Sequence, residues 1–314
     1  MRRKVLVSAP YLQPVLERFR PTFVARDIDL VVPPVRERLS EEALLPLVGD
    51  IDGAICGDDQ FTERVLAAAP RLKVIAKWGT GIDSIDSAAC RRLGIAVRNT
   101  PGAFNEAVAD TVLGYILSFA RRQPEMNQAM HAGRWEKLAA VALRECVLGV
   151  IGVGSVGKTV VRRATAFGMR VLGNDVVPIP RDFIAATGIE MVSRNDLLTQ
   201  SDFVSLNCDL NPTSFHLLGK ESFAIMKATA FVINTARGPV IDEPAMIAAL
   251  SSGRIAGAAL DVFEVEPLPP DSPLLEMDNV LLAPHNANSS PSDWDAVHEK
   301  TIRNLLEELE GHGT

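Results

Sequence analysis

Three kinds of side chain that could bind an anion or move a proton follow apolar, strand-like runs in the second half of the chain. Arg237 lies in a segment ending at Gly238, glutamates lie in residues 261–267, and His285 follows Leu-Leu-Ala-Pro. An Arg binds a carboxylate with two parallel hydrogen bonds, and a His oriented by a carboxylate transfers protons near neutral pH. Taken singly, they could be a surface charge, a loop residue and a cap. Because ligands bind at the carboxyl ends of strands in open α/β sheets, their recurrence there predicts one catalytic group.

A glycine-rich turn lies near the middle of the chain. The apolar run Cys146–Ile151 is followed by Gly152, Gly154 and Gly157 in the spacing Gly-x-Gly-x-x-Gly. The first glycine permits a tight turn, the second lets backbone approach a pyrophosphate, and the third allows close helix packing. A helix beginning near Ser155 would direct its free N–H groups at the phosphates. The turn therefore predicts a dinucleotide site, although this motif alone also occurs by chance.

Asp175 follows the next strand-like run, 18 residues after Gly157. An acidic residue about 20 residues beyond such a turn hydrogen-bonds the ribose hydroxyls of a dinucleotide. The same carboxylate repels a 2′-phosphate, and residues 176–180 contain no Arg or Lys that could receive one. The pattern predicts NAD rather than NADP. The alternative is that Asp175 only ends a strand.

Composition restricts the class of protein. With 314 residues, 47% of them hydrophobic, the chain has room for about two domains. A net charge of −7 argues against nucleic acid or an anionic membrane as the main partner. The apolar run after the basic first residues is too short for the core of a signal peptide, and no stretch approaches about 18 uninterrupted apolar residues, so we expect a cytoplasmic protein. The four cysteines lack Cys-x-x-Cys pairing and the five histidines lack metal-ligand spacing, so we expect neither a disulfide nor a metal.

Strand-like and helix-like segments alternate both before and after the glycine turn. The expected strands are Lys4–Ser8, Ile28–Val32, Gly53–Cys56, Lys73–Lys77 and Ile95–Arg98, then Cys146–Ile151, Val171–Asn174, Phe203–Asn207, Ala230–Asn234, Ala256–Asp261 and Val280–Ala283. This alternation predicts two α/β parts with parallel sheets.

Three helical segments accompany these strands. A helix at 106–122 should be broken by Pro124 and followed by a second segment at 125–131, and a last helix at 291–309 should pack back on the first sheet. Trp135 is expected to anchor packing or a subunit contact.

In this order, the motifs resemble those of the D-isomer-specific 2-hydroxyacid dehydrogenase family and, within it, the phosphoglycerate dehydrogenase-like branch. The similarity spans nearly the whole chain and rests on Gly79–Asp83, Asn99–Gly102, Gly152–Gly157, Asn234–Gly238, Asp261–Pro267 and Pro284–His285. The resemblance implies two Rossmann-like or flavodoxin-like doubly wound parallel-sheet domains with the active-site cleft between them. Residues 1–101 plus 287–314 would bind substrate and residues 102–286 would bind NAD. It also implies a homodimer formed largely through the NAD domains.

The resemblance implies roles for individual residues as well. Arg237 would bind the substrate carboxylate and 2-oxygen, His285 would be the general acid/base, and Glu266 would be its partner. The positions expected to bind the substrate also include Lys77 and the backbone of Trp78 and Gly79. Those expected to contact NAD are Gly152, Gly154, Ser155, Val156, Gly157, Asp175, Cys208, Thr213, Thr235, Ala236, Asp261 and Ala287.

Departures from the branch concern the substrate. Cys56 stands where phosphoglycerate dehydrogenases usually have an Arg, Asp58 and Asp59 would repel a phosphate unless they point away, and Lys77 replaces a frequent Arg. The segment after His285 reads Asn-Ala-Asn, and the chain ends without room for a serine-sensing domain. We therefore expect a different small 2-hydroxy or 2-keto acid. The alternatives are 3-phosphoglycerate dehydrogenase proper, an NAD-sensing corepressor-like binding protein, and another NAD-linked reaction such as an epimerase or dehydratase.

Overall fold

The computed structural model describes residues 2–311, so Met1 and residues 312–314, which include His312, lie outside the described part. The described chain alternates strands and helices throughout. Its strands are β1 (Arg3–Val7), β2 (Ile28–Val31), β3 (Gly53–Cys56), β4 (Val74–Lys77), β5 (Ala96–Arg98), β6 (Val147–Ile151), β7 (Arg170–Asn174), β8 (Glu190–Met191), β9 (Phe203–Leu206), β10 (Phe231–Asn234), β11 (Gly257–Leu260) and β12 (Val280–Leu282).

Helices connect successive strands in both halves of the chain. They are α1 (Arg20–Val24), α2 (Glu41–Leu44), α3 (Glu63–Ala67), α4 (Ser87–Leu93), α5 (Asn105–Ala120), α6 (Gln123–His131), α7 (Ser155–Ala166), α8 (Arg181–Thr187), α9 (Arg194–Gln200), α10 (Lys220–Ile225), α11 (Glu243–Ser251) and α12 (Pro291–Gly311). Short 3₁₀ segments occur at Gln13–Arg18, Leu143–Glu145, Gly238–Val240 and Pro273–Glu276. None of the described helices is both long enough and apolar enough to cross a membrane.

The chain divides into two compact units. The first contains the residues up to Ala103 and those from Ser290 onwards, and the second is Phe104–Ser289. Every strand pairing in both units is parallel. The two parallel-sheet α/β domains predicted from the alternating pattern are therefore confirmed.

The first unit has a five-stranded sheet in the order β2-β1-β3-β4-β5. The chain passes from β1 to β2 on one side and then returns to β3 on the other, so the strand order reverses between β1 and β3. In open parallel sheets, such a reversal leaves a crevice at the carboxyl ends of the two strands. β3 and β4 are buried along their whole length, and α12 packs so closely that a Cβ on Gly53 would lie 2.9 Å from Leu305.

The second unit has a seven-stranded sheet in the order β12-β11-β10-β9-β6-β7-β8. Its strand order reverses between β6 and β9, and the glycine turn directly follows β6. The close contact of helix and sheet is visible at Gly149, where a Cβ would lie 2.4 Å from Leu197. At this reversal the fold places the loop after β6 beside the loop after β9.

Two features of the second unit differ from the sequence analysis. The sequence patterns did not include the two-residue strand β8. The expected break between two helices is present between α5 and α6, but Pro124 itself lies in the first turn of α6, where the missing N–H has no intrahelical partner to lose. The break falls at Arg122, whose φ of 51° ends the preceding helical path.

Candidate active site

A histidine–carboxylate pair joins the loops after β11 and β12. Nδ1 of His285 lies 2.9 Å from Oε2 of Glu266, and both side chains are about three-quarters buried. The other oxygen of Glu266 accepts a hydrogen bond of 2.9 Å from the Phe263 N–H. The carboxylate is therefore fixed by the backbone of its own loop and in turn orients the imidazole. With Nδ1 directed at Glu266, the nitrogen suited to exchange a proton with a substrate is Nε2.

Asp261 holds the turn that carries His285. Its two carboxylate oxygens accept hydrogen bonds from the N–H groups of Asn286 and Ala287, at 2.7 and 2.9 Å. The N–H of His285 donates to the Asp261 carbonyl, and His285 adopts a φ of 52°. Burial raises the pKa of Asp261, while the two N–H donors oppose that shift. The hydrogen bonds of Asp261 therefore stabilise the turn formed by His285, Asn286 and Ala287.

Arg237 is the third residue after β10 and lies next to the loop of Glu266. Its backbone is held by the buried Asn234, whose side-chain amide donates to the Arg237 carbonyl at 2.9 Å. Its guanidinium donates to the Ala236 carbonyl at 2.8 Å. A Cβ on Gly238 would lie 1.9 Å from Phe263 backbone atoms, so the two loops touch. Because β10, β11 and β12 are neighbours in the sheet, the predicted Arg, Glu and His are brought to one edge.

The glycine turn has the shape needed for a pyrophosphate. Gly152 has a φ of 86°, and a Cβ there would lie 2.7 Å from the backbone of Asn207. A Cβ on Gly157 would lie 2.0 Å from the Gly152 carbonyl oxygen. Around Gly154, by contrast, no non-neighbouring atom of the described residues lies within 4 Å of such a Cβ. The turn is therefore closed on its protein side and open in front of Gly154, at the N-terminus of α7.

Asp175 lies at the end of β7 and also touches the glycine turn. One carboxylate oxygen accepts a 2.6 Å hydrogen bond from the Val153 N–H, and the other accepts one of 2.9 Å from the Val177 N–H. A carboxylate oxygen can accept more than one hydrogen bond, so these contacts orient Asp175 without using up its capacity for ribose hydroxyls. They also tie the end of β7 to the turn.

The remaining residues predicted to contact the cofactor lie at the carboxyl ends of neighbouring strands. Ser155 and Val156 form the first turn of α7, and burial raises the pKa of the Cys208 thiol to about 11. The exposed Thr213 donates its hydroxyl to the Asn211 side chain at 2.6 Å. Among the described residues, the buried Thr235 hydroxyl has no hydrogen-bond partner. An unpartnered buried hydroxyl after β10 fits a site that receives polar groups of a cofactor.

Three further predicted residues, Lys77, Trp78 and Gly79, lie at the end of β4 and directly after it in the first unit. Lys77 is 4% exposed, and its ammonium lies 3.0 Å from Asp58 and donates to the Trp78 carbonyl at 3.2 Å. The Trp78 indole donates to Nδ1 of His298 at 2.9 Å. Gly79 follows with a φ of 118°. His298 carries no motif that could reveal this role, because it is 220 residues away from its partner.

The acidic residues after β3 face different directions. Asp59 is fully buried and accepts hydrogen bonds from the Ser8 hydroxyl and the Leu39 N–H, at 2.7 and 2.6 Å. Burial raises its pKa, and these donors oppose the shift. Asp59 therefore points into the protein, whereas Asp58 pairs with Lys77. Cys56 is also fully buried.

Comparison with known proteins identifies the family of this chain. Residues 113–287 match the family described as "D-isomer specific 2-hydroxyacid dehydrogenase, NAD binding domain". A glyoxylate reductase from Korarchaeum cryptofilum (strain OPF8) is 38% identical over 85% of this chain and 82% of its own length. A D-3-phosphoglycerate dehydrogenase from Methanocaldococcus jannaschii is 40% identical over 87% of this chain, but only 52% of its own length is covered.

The similarity extends to three-dimensional structure. The crystal structure of a D-lactate dehydrogenase from Aquifex aeolicus, complexed with NAD and lactic acid, superposes with a TM-score of 0.87. It is 28% identical to this chain, and 98% of each chain is covered. The cofactor of the second unit is accordingly NAD, as the glycine turn predicts. The chain belongs to the D-isomer specific 2-hydroxyacid dehydrogenase family and is an NAD-dependent enzyme.

Proposed function

We propose that this enzyme interconverts a small D-2-hydroxy acid and its 2-keto acid, with Arg237, Glu266 and His285 as the residues that act on the substrate. The 2.9 Å contact between His285 and Glu266 carries the proposal. The contact supports a role for His285 as an oriented proton donor, because it lies beside the loop of Arg237 at the sheet edge where ligands bind. A histidine that only capped a buried group would not need a carboxylate held in turn by backbone.

NAD, when bound, supplies the hydride in one direction and accepts it in the other. In reduction, His285 donates the Nε2 proton to the oxygen at C2 as negative charge develops on it. Glu266 stabilises the charged imidazole before the transfer and keeps Nδ1 protonated. Arg237 binds the substrate carboxylate and the 2-oxygen, and its fixed charge stabilises the developing alkoxide. In oxidation, His285 takes the hydroxyl proton instead.

The remaining roles concern orientation of the two reactants. The N–H groups at Gly154, Ser155 and Val156 lie at the helix N-terminus and would hold the pyrophosphate. Asp175 would accept hydrogen bonds from the adenosine ribose. The backbone at Trp78 and Gly79 would receive the substrate carboxylate.

The names of similar proteins support a substrate of two or three carbons. Glyoxylate reductases and a hydroxypyruvate reductase are among the relatives, the latter 35% identical over 87% of this chain. We propose glyoxylate and hydroxypyruvate as the first substrates to test. The 40% identity to a D-3-phosphoglycerate dehydrogenase makes 3-phosphohydroxypyruvate the second candidate.

The decisive experiment measures NADH oxidation with glyoxylate, hydroxypyruvate, pyruvate, 2-ketobutyrate and 3-phosphohydroxypyruvate. His285→Asn is the informative variant, because Asn tolerates the positive φ at this position but cannot act as an acid. We expect kcat to fall at least about 100-fold, with NADH affinity retained. His131→Asn, at an exposed position in α6, should behave as wild type. Near wild-type turnover by His285→Asn would overturn the assignment.

We also propose that the protein is a cytoplasmic homodimer. The support is the indole of Trp135, which is 83% exposed, because large exposed aromatic side chains are typical anchors of subunit contacts. The described cysteines are free thiols, which supports the cytoplasmic location, because disulfides are rare in the reducing cytosol. Light scattering on the wild type and Trp135→Ala tests the assembly, and a monomeric wild type would contradict it.

A further inference from the structure

We propose that Asp58 and Lys77 form an internally neutralised ion pair that makes this enzyme select substrates whose group beyond C2 is uncharged, and reject phosphorylated ones. The inference rests on the proposed function, since it concerns the substrate of that reaction. It assigns to Asp58 a specificity role through its charge.

The position of the pair follows from the topology of the first unit. The strand order reverses between β1 and β3, so a ligand crevice is expected outside the carboxyl ends of these strands. Asp58 is the second residue after β3, and Lys77 is the last residue of β4. Cys56 and Lys77 are register partners in adjacent strands. Both members of the pair therefore lie at the edge of the sheet where a ligand would bind.

The Lys77 side chain is more deeply buried than the Asp58 side chain. The Lys77 side chain is 4% exposed and the Asp58 side chain 32% exposed, with 3.0 Å between ammonium and carboxylate. The ammonium also donates to the Trp78 carbonyl and lies 3.7 Å from where a Cβ on Gly79 would be. A ligand reaching this edge thus meets the carboxylate first, with the cation behind it. Because a buried cation without a partner is costly, the pair is expected to persist.

The loop that carries Asp58 is rigidly held by its neighbour. Asp59 accepts hydrogen bonds from Ser8, Leu39 and the N–H of Gly57, at 2.7, 2.6 and 3.2 Å. These contacts tie the loop after β3 to the loop after β1. Moving Asp58 away to release Lys77 would therefore require breaking a buried network, and not only rotating one side chain.

This arrangement distinguishes between possible substrates by charge. A phosphate group carries a charge of about −1.5 to −2 at neutral pH and would have to approach the Asp58 carboxylate. Lys77 offers little compensation, because its charge is already balanced. A hydroxymethyl group, in contrast, can donate a hydrogen bond to Asp58, and a hydrogen atom needs no partner. The pair therefore favours hydroxypyruvate and glyoxylate over 3-phosphohydroxypyruvate.

The test compares kcat/KM for hydroxypyruvate and 3-phosphohydroxypyruvate in the wild type and in Asp58→Asn. The wild type should favour hydroxypyruvate by about 100-fold or more. The variant keeps the shape of the side chain but leaves the Lys77 charge unbalanced. The ratio should shift at least about tenfold towards the phosphorylated acid. Asp50→Asn is the matched control, because Asp50 pairs with Lys4 on the exposed surface and should leave the ratio unchanged.

A double variant separates charge from shape. Asp58→Asn combined with Lys77→Met removes both charges. The shift in the kcat/KM ratio towards the phosphorylated acid that the single variant shows should therefore disappear. An unchanged ratio in folded Asp58→Asn, or an equal gain in the double variant, would overturn the proposal. So would a wild type that prefers the phosphorylated acid, a measurement that needs no variant. Failure of the wild type to reduce any 2-keto acid would instead overturn the proposed function itself.

Discussion

Nδ1 of His285 and Oε2 of Glu266 lie 2.9 Å apart although 19 residues separate them in the chain. The distance is short because β11 and β12 are adjacent and parallel, so their carboxyl ends place the following loops side by side. The second Glu266 oxygen is bound to the Phe263 N–H. Glu266 is thereby oriented from one side by backbone and orients the imidazole from the other.

We predict that Glu266→Gln lowers reductive turnover at least about tenfold and moves the pH at which reduction is half-maximal to lower values. The amide keeps the shape of the side chain but no longer stabilises a positively charged imidazole. Reduction requires that charged form, so it should be lost at a lower pH than in the wild type. The measurement is kcat for glyoxylate between pH 5 and 9. Glu276→Gln, at an exposed position, should give the wild-type profile, and an unshifted profile in Glu266→Gln would argue against the role of the carboxylate.

Arg237→Lys should lower kcat/KM for 2-keto acids by about 100-fold while leaving NADH affinity unchanged. Lysine retains the positive charge but cannot bind a carboxylate with two parallel hydrogen bonds. The loss would show that geometry, and not charge alone, is required. Steady-state kinetics and NADH fluorescence titration measure the two quantities. Arg92→Lys, whose wild-type side chain forms an exposed ion pair with Glu63, is the control.

The positions of the strands were largely predictable because a strand buried on both faces is a continuous apolar run. The expected strand at 53–56 coincides with β3, and each of the other expected strands differs from the observed one by a single residue at one or both ends. β8 could not be found in this way, because Glu190 and Met191 form no apolar run. Pro124 lies within α6 and not at the break before it, because proline disrupts a helix interior but suits a first turn.

The sequence predicts which functional residues follow the strands, but it does not predict which side chains these residues contact. Consecutive strands with Arg, Glu and His after them indicate one sheet edge, whatever the details of packing. The Asp58–Lys77 pair and the Trp78–His298 hydrogen bond depend on which way side chains turn within the folded unit. No local periodicity encodes such contacts, so Asp58 and Asp59 look alike in sequence although one pairs with Lys77 and the other is buried.

The two glycines Gly154 and Gly157 should respond differently to alanine. At Gly157 a Cβ would lie 2.0 Å from the Gly152 carbonyl oxygen, so Gly157→Ala should lower Tm by about 5 °C or more. At Gly154 no such contact exists among the described residues, so a Cβ there would meet open space. Gly154→Ala should lower Tm less than Gly157→Ala does, yet weaken NADH binding about tenfold by blocking approach to the backbone. Equal effects on Tm would contradict this division.

Asp175→Asn should narrow the preference for NADH over NADPH by at least about tenfold in kcat/KM. The amide removes the charge that repels a 2′-phosphate. It also lacks one of the two acceptor oxygens that hold the Val153 and Val177 N–H groups. NADH use should therefore decline while NADPH use rises or stays constant. A wild type that uses both cofactors equally would show that Asp175 does not determine the choice.

The buried His298 should make the first unit less stable in acid. The residue is 3% exposed and its Nδ1 accepts the Trp78 indole N–H, so this nitrogen must be unprotonated. Burial lowers the pKa of His298 below its ordinary value of 6.5, and Arg18 adds to the shift while Asp295 opposes it. His298 therefore binds a proton more readily in the unfolded chain than in the folded chain. This contribution to stability is present above pH 6.5 and is lost as the pH falls through the lower folded value.

We predict that His298→Gln reduces the fall in Tm between pH 7.5 and 5. Glutamine can accept the same indole N–H through its carbonyl oxygen but does not titrate. The Tm of the variant should lie below the wild-type Tm at pH 7.5, because the imidazole packing is lost, and the two curves should converge towards pH 5. His131→Gln, at an exposed position, should follow the wild type throughout. Parallel curves for wild type and His298→Gln would mean that protonation of His298 does not limit stability in acid.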